Sequence, residues 1–304
     1  MKKTILIVGI TSFVGSNLAE VLSEKYKVVG TYYHQRSLLP SRYPLLRMDV
    51  LNKDEIKRAI KYFKPDYVIY AAGLSSLSKA QAKEKESEQL NSVGAINCLN
   101  ISERAGALFI YLSSAFVLSG ENKFFKESDT PYAMTAYGAA VSNAEFSIQR
   151  SSLHYLILRC PVLYGLSFSD QKLNILELIQ KSIFEQKLLK LDDRVEVGFL
   201  DVQLVARFLM VLLEKKITNR LLQISSKDHL TYFKFAQKYA EVFKKSSSTF
   251  EVENIPFPIE SSSEQAPLSF KMDISNAELR IGIKMPTIQE SLEFTQRRFS
   301  AKSS

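Results

Sequence analysis

The sequence holds only two cysteines and three histidines in 304 residues. Cys98 and Cys160 lie far apart, and His34, His154 and His229 are equally scattered. None has ligand-like spacing, so neither a metal site nor a disulfide framework is expected. A reducing compartment is the natural setting, and the cytoplasm is the expected location. Long apolar runs are missing too. No stretch approaches the roughly 18 residues of a membrane span. The opening "MKKTILIVGI" carries two lysines and an apolar run. It does not read as a secretory signal, because no small-residue cleavage site follows and a strand–turn–helix pattern continues at once. The net charge is +8, yet the positive residues are spread out and "QRR" near the C-terminus is their densest cluster. A nucleic-acid binder carries a lysine/arginine block, and none is present, so neither nucleic acid nor membrane is an expected partner. The basic balance suits phosphate-bearing small molecules. Internal repeats and long linkers are absent as well.

What is present is a core and a rhythm. With 46% hydrophobic residues, the chain can bury a sizeable interior. "TILIV" (4–8) is a short apolar, β-branched run bounded by glycine, which suits a strand buried on both faces. "FVGSNLAEVLSEKY" then sets Val14, Leu18, Val21 and Leu22 on one helical face. Further strands are expected at 27–33, 45–50, 65–73, 107–114 and 155–160. Between them come a helix capped by Asn52, a helical stretch over 87–104 and a helix around 136–150. Strands separated by helices predict βαβ units, right-handed crossovers and a doubly wound parallel sheet of the Rossmann kind. Beyond Gly165 the pattern becomes more helical, with helices expected in "LNILELIQKSIFEQK", "DVQLVARFLMVLLEK" and "LTYFKFAQKYAEVFKK". The expected organisation is a dinucleotide-binding domain over 1–165 and a smaller, mainly helical substrate lobe over 166–304, with the chain free to cross back to the core.

Ligands in such α/β folds bind beyond the C-terminal ends of the strands. The residues just past each strand are therefore the candidate cofactor contacts: Gly9, Thr11, Ser12, Phe13, Val14 and Gly15; His34 and Arg36; Asp49 and Val50; Ala71, Ala72 and Gly73; Cys160 and Val162. The first turn fits G-x-x-G-x-x-G with Ser12 in the middle place. Glycines there permit positive φ and let a pyrophosphate reach the backbone amides. Ser12 is small but lacks glycine's freedom, so a turn that differs or a weaker site is expected, and its hydroxyl can cap the helix or contact a phosphate. A binder of NAD places an acid about 20 residues further on to accept from the ribose 2′-hydroxyl. The local run "TYYHQRS" has no acid but has His34 and Arg36, which favours NADP.

These segments resemble the extended short-chain dehydrogenase/reductases over most of the chain. "IVGITSFVG" is similar to their first glycine turn. "MDVLNKDEIKRAIKYFKPDYVIYAAG" is similar to their next stretch, whose Asp-Val pair lies by the adenine and whose AAG backbone lies by the cofactor. "FIYLSSAFVLSG" resembles their "ISTDYVFDG" segment, and "LRCPVLYG" their "LRxxxxYG" strand end. The branch includes dTDP-4-dehydrorhamnose reductase and the noncatalytic β-subunit of methionine adenosyltransferase.

The resemblance implies a catalytic Ser/Thr, a Tyr and a Lys four residues after the Tyr, one helical turn on. "TAYGAAVSNAE" supplies Tyr137, and "SSAFVLSG" supplies Ser114, but the lysine place holds Val141 and the usual acid after the serine is Ala115. Losing the lysine hurts oxidation most, since that direction needs a tyrosinate, whereas reduction uses a neutral tyrosine as acid. The stripe Tyr137, Ala140, Val141 and Ala144 equally suits an ordinary packing face. "QAPLSF" puts Ala266 where the family has arginine before Pro267, a departure in the substrate lobe. Cys160 reads as a packing residue, and His154 and His229 as surface or capping residues.

The resemblance thus implies an NADPH-dependent reductase of a 4-keto nucleotide-linked deoxysugar with an impaired Tyr-Lys pair. The alternatives are a noncatalytic cofactor-binding regulatory subunit, or a nucleotide-sugar epimerase or dehydratase. A homodimer or a partner enzyme is the expected protein partner. Whether Lys123 or Lys126 reaches the site from a loop is left open by the sequence.

Overall fold

A computed structural model describes residues 2–34, 42–151, 154–167, 173–253 and 268–303. The elements that position the site are β1 (Thr4–Val8), α1 (Phe13–Leu22), β2 (Lys27–Tyr32), β3 (Leu45–Arg47), α2 (Lys53–Phe63), β4 (Tyr67–Tyr70) and β5 (Leu108–Ser114). They build a seven-stranded sheet in the order Arg220–Gln223, Tyr155–Cys160, β5, β4, β1, β2, β3. Every pairing in it is parallel.

The apolar run of β1 explains its central place. Leu6 and Val8 belong to the core on one face of the sheet, and Ile5 and Ile7 to the core on the other. A strand with period-two side chains can serve two cores only if both sets are apolar. Helices form where caps are available. Asn52 accepts from the amides of Asp54 (3.1 Å) and Glu55 (3.3 Å) to start α2, worth about 1 kcal/mol. Strand order reverses at β1, where β4 lies on one side and β2 on the other. That switch point is where a crevice opens in this class of sheet.

The second half of the chain adds the helices Ile175–Glu185, Tyr232–Phe243 and Ile288–Ser303, whose Ile175, Phe235 and Ile288 belong to the same buried cluster as Leu6 and Val8. Three small parallel sheets accompany them. Val162–Tyr164 pairs with Phe199–Asp201, Leu189–Leu191 with Phe250–Val252, and Leu268–Met272 lies between Val195–Val197 and Phe124–Phe125. The helix Val202–Glu214 returns to the core. Its Val205, Ala206, Leu209 and Leu213 share a cluster with Ile5 and Leu18. Arg220–Gln223 then adds the edge strand beside Tyr155–Cys160.

His229 departs from the surface or capping role expected of it. Its ring packs edge-on to Phe124 at 5.6 Å, and its Nε2 is enclosed with no partner among the described residues. Burial and the nearby Lys271 push its pKa down to about 4. His154 is exposed, in line with its sequence reading. Among the described residues, no helix is long and apolar enough to cross a membrane.

Candidate functional site

The glycine turn is built by close contacts. Gly9 adopts φ +80°, and a Cβ there would lie 2.8 Å from the Cα of Ala72. β1 and β4 therefore approach closely only because residue 9 has no side chain. Gly15 lies against the Gly9 carbonyl, which a Cβ would meet at 2.3 Å. Ser12, in the middle place, is fully engaged within the protein. Its Oγ accepts from the Gly15 amide at 3.0 Å, capping α1, and donates to the Ala71 carbonyl at 2.9 Å. The serine thus does the capping of the two roles its hydroxyl allowed, and its one proton is spent on Ala71. The next two amides, of Phe13 and Val14, have no acceptor among the described residues and sit at the positive end of the α1 dipole.

Tyr137 is brought to Ser114 by a second close approach. Thr135 caps the helix Ala136–Gln149 through the Gly138 amide at 3.0 Å. A Cβ on Gly138 would lie 2.1 Å from the Phe116 carbonyl, so the helix start presses onto the turn that follows β5. The Ser114 side chain lies beside Tyr137 there, while its Oγ accepts from the Phe116 amide at 3.3 Å. Burial pushes the Tyr137 pKa up to about 12, opposed by the nearby Ser114 hydroxyl and reinforced by the neighbouring Cys160. Burial also raises the Cys160 thiol to about 12, which makes it a packing group rather than a nucleophile. Val141, one turn after Tyr137, is 2% exposed. No ammonium occupies the place where the family's lysine would stand.

A cleft of about 1400 Å³ joins the two places. Pockets for one drug-sized molecule span roughly 300–1,000 Å³, so this one has room for a dinucleotide and a second ligand. Gly9, Thr11, Ser12, Phe13, Val14, His34, Asp49, Val50, Ala71, Ala72, Gly73, Ser114, Tyr137, Cys160 and Val162 all line it. Gly15 shapes the turn from behind, and Arg36 lies outside the described residues, as do Ala266 and Pro267. Lys123 pairs with Glu121 at 3.0 Å and stands over the Phe125 ring, and neither it nor Lys126 lines the cleft. Lys85 and Lys190 are the cations that do, among the described residues. No group of three His, Cys, Asp or Glu suited to a metal occurs among the described residues.

Three further features were not read in the sequence. Asn91 lines the cleft from a π-helical turn, Gln89–Val93, and clamps Leu74 through its amide (3.0 Å) and carbonyl (3.1 Å). A Cβ on Gly73 would lie 1.9 Å from Asn91 Oδ1. Glu145 and Arg159 form a buried ion pair at 2.7 Å, and the Ser113 hydroxyl donates to the same carboxylate. Glu145 follows Tyr137 by eight residues on one helical face, a spacing that would have flagged it. Arg47, at the end of β3, is exposed and stands beside the cleft-lining Tyr33.

Comparison with known proteins places this geometry. The description of the RmlD substrate binding domain matches residues 1–300. Methionine adenosyltransferase 2 subunit beta of Rattus norvegicus is 24% identical over 302 residues, covering 95% of this chain and 87% of that protein. The NADP complex of dTDP-4-dehydrorhamnose reductase from Bacillus anthracis superposes with a TM-score of 0.82 at 19% identity, over 98% of this chain and all of that one. UDP-glucose 4-epimerase of Thermotoga maritima, solved with UDP-glucose, gives a TM-score of 0.82 at 18% identity, over 99% of this chain and 100% of that one.

Proposed function

This chain belongs to the RmlD substrate binding domain family, and from that premise we propose that it binds NADP(H) and reduces a keto group on a nucleotide-linked deoxysugar. The observation that carries the reading is the juxtaposition of Tyr137 and Ser114 in the wall of one cleft with the amides of Phe13 and Val14, which have no acceptor among the described residues. The residues present fit a dinucleotide. The Gly9 turn packs tightly against the Ala71–Ala72 backbone that also lines the cleft, and two amides at the α1 N-terminus with no acceptor among the described residues suit a pyrophosphate. Asp49, Val50, Ala71, Ala72, Gly73, Cys160 and Val162 would complete its wall. The absence of an acid after β2, with His34 there instead, supports NADP over NAD. Bound NADPH would supply the hydride.

The protein's own part is proton transfer and orientation. Ser114 would hold the keto oxygen, and Tyr137 would donate its phenolic proton to that oxygen as it becomes a hydroxyl. With a pKa pushed up to about 12, Tyr137 is fully protonated at neutral pH. That suits an acid. It suits a base poorly, because Val141 gives the tyrosinate no cation. Reduction is therefore favoured over epimerase or dehydratase chemistry, which needs the reverse proton movement. A cytoplasmic setting goes with this reading.

A second reading has its own support. The same Val141, together with the likeness to a subunit of methionine adenosyltransferase, favours a noncatalytic cofactor-binding regulatory subunit. The test is a fluorescence titration with NADPH and then NADH, followed by NADPH oxidation assays over a panel of keto-sugar nucleotides. Reductase function predicts turnover that Tyr137→Phe lowers by about 10²–10⁴-fold. Binding without turnover on any substrate, with a stable partner recovered on co-purification, would select the regulatory reading instead.

A further inference from the structure

We propose that Arg47 discriminates the 2′-phosphate of NADP(H) from the 2′-hydroxyl of NAD(H), through a guanidinium held in place by Tyr33. The inference rests on the dinucleotide reading above and names a residue to which that reading gives no role. Arg47 ends β3, and the register of the two strands sets it opposite Tyr32 at the tip of β2. The tip of the second strand is where a dinucleotide fold meets the adenosine ribose. Tyr33 and His34 continue from that tip and line the cleft.

The side chain of Arg47 is fixed at two points. Its Nε donates to the Tyr33 carbonyl at 3.2 Å, and its guanidinium carbon lies 5.3 Å from the centre of the Tyr33 ring. That ring is itself braced edge-on against His34 at 4.5 Å. Both Nη groups are left without a partner among the described residues, and the arginine is exposed. The nearby acids are engaged elsewhere. Asp49 Oδ1 accepts from the Leu51 amide at 2.9 Å, and Glu55 accepts from the amides of Asp49 (2.8 Å) and the Asn52 side chain (3.2 Å). No carboxylate among the described residues neutralises Arg47. A stacked, tethered guanidinium with a free planar fork is pre-organised for a phosphate, with less side-chain entropy left to lose on binding.

The chemistry predicts a selective effect. A phosphomonoester carries charge for the fork to meet, and a hydroxyl does not. Replacing Arg47 should weaken only ligands that carry the 2′-phosphate.

The test titrates the full-length protein with NADPH, NADH, 2′,5′-ADP and 5′-AMP, and compares Arg47→Gln with Arg36→Gln. The expected result is at least tenfold weaker binding of NADPH and 2′,5′-ADP by Arg47→Gln, with NADH and 5′-AMP changed by less than twofold. Equal losses for NADPH and NADH would overturn the proposal in favour of a general stacking role. An unchanged Arg47→Gln beside an Arg36→Gln that erases the preference would overturn it in favour of Arg36. Wild-type protein that binds none of the four ligands would overturn the dinucleotide reading itself, and Arg47's role with it. Wild-type protein that binds NADPH and NADH equally would leave dinucleotide binding standing and refute the discrimination assigned to Arg47.

Discussion

Glu145→Gln tests the internal brace behind the Tyr137–Ser114 pair. The Glu145 and Arg159 side chains are each 1% exposed. Arg159 donates from Nε to both carboxylate oxygens, at 2.9 and 3.2 Å, and from Nη2 at 2.7 Å. Ser113 adds a hydroxyl to the same carboxylate. Glutamine keeps the shape but removes the charge and turns two donors toward a guanidinium whose Nη1 already lacks a partner. Breaking one side of a buried pair costs about 3–5 kcal/mol, a fifth or more of the roughly 5–15 kcal/mol that holds a typical domain folded. The assay is urea unfolding followed by far-UV circular dichroism on wild type, Glu145→Gln, Arg159→Met and the Glu145→Met/Arg159→Met double variant. Each single variant should lose about 3–5 kcal/mol, and the double variant less than either single one, because no orphaned charge remains. A Glu145→Gln protein within about 1 kcal/mol of wild type would refute the view that this pair pins the helix. The link to the site is direct in the chain. Glu145 lies two turns after Tyr137, and Ser113 precedes Ser114.

Other changes should act as the geometry dictates. Ser12→Ala removes the α1 cap and the bond to Ala71, and should cost about 1 kcal/mol of stability. It should leave NADPH affinity within a few-fold, since the amides of Phe13 and Val14 are untouched. A tenfold loss in titration would show that the hydroxyl meets the ligand after all. His229 has a folded pKa lowered to about 4, below the unfolded value near 6.5. The unfolded chain therefore takes up the proton first, and the stability present above pH 6.5 is lost as pH falls toward 4. His229→Leu should flatten that loss, seen as a smaller drop in urea midpoint between pH 7 and pH 4.5, and parallel curves would refute the assignment. Val141→Lys places an ammonium one turn from Tyr137, and should draw the Tyr137 pKa down from about 12. The check is alkaline absorbance titration near 295 nm, taken as the difference from the same variant carrying Tyr137→Phe, because 13 other tyrosines absorb there as well. An unmoved Tyr137 would mean the new lysine points away from it.

The divide between what the sequence disclosed and what it hid follows the range of the interactions. β1 was legible because four consecutive apolar residues can only serve two cores at once, and the turn after it because Gly9 and Gly15 face backbone at contact distance. Tyr137 and Ser114 were legible because their local runs are specific. Arg220–Gln223 was not, since a four-residue edge strand has no periodicity of its own and is defined by the neighbour it meets. The same holds for the small sheets, where Phe124–Phe125 joins Leu268–Met272 across more than 140 residues of chain. Isolated polar residues were hidden for a related reason. A lone Arg47 at a strand end reads as solvated, and a lone His229 as surface, until packing supplies the partner or takes it away.

The Val141 departure becomes clearer when set against its surroundings. A family lysine at this place would need a cavity wall able to tolerate its charge. Val141 both lines the cleft and packs into the apolar core with Ala144 and Ile148, while the helix keeps its charge deeper in, at Glu145, matched by Arg159. The helix thus presents no cation one turn after Tyr137 and carries its buried ion pair two turns on. If Tyr137 donates its proton to the substrate, as proposed, that proton must be restored from solvent in every turnover, and a phenol whose pKa is pushed up to about 12 takes it back at neutral pH without an ammonium.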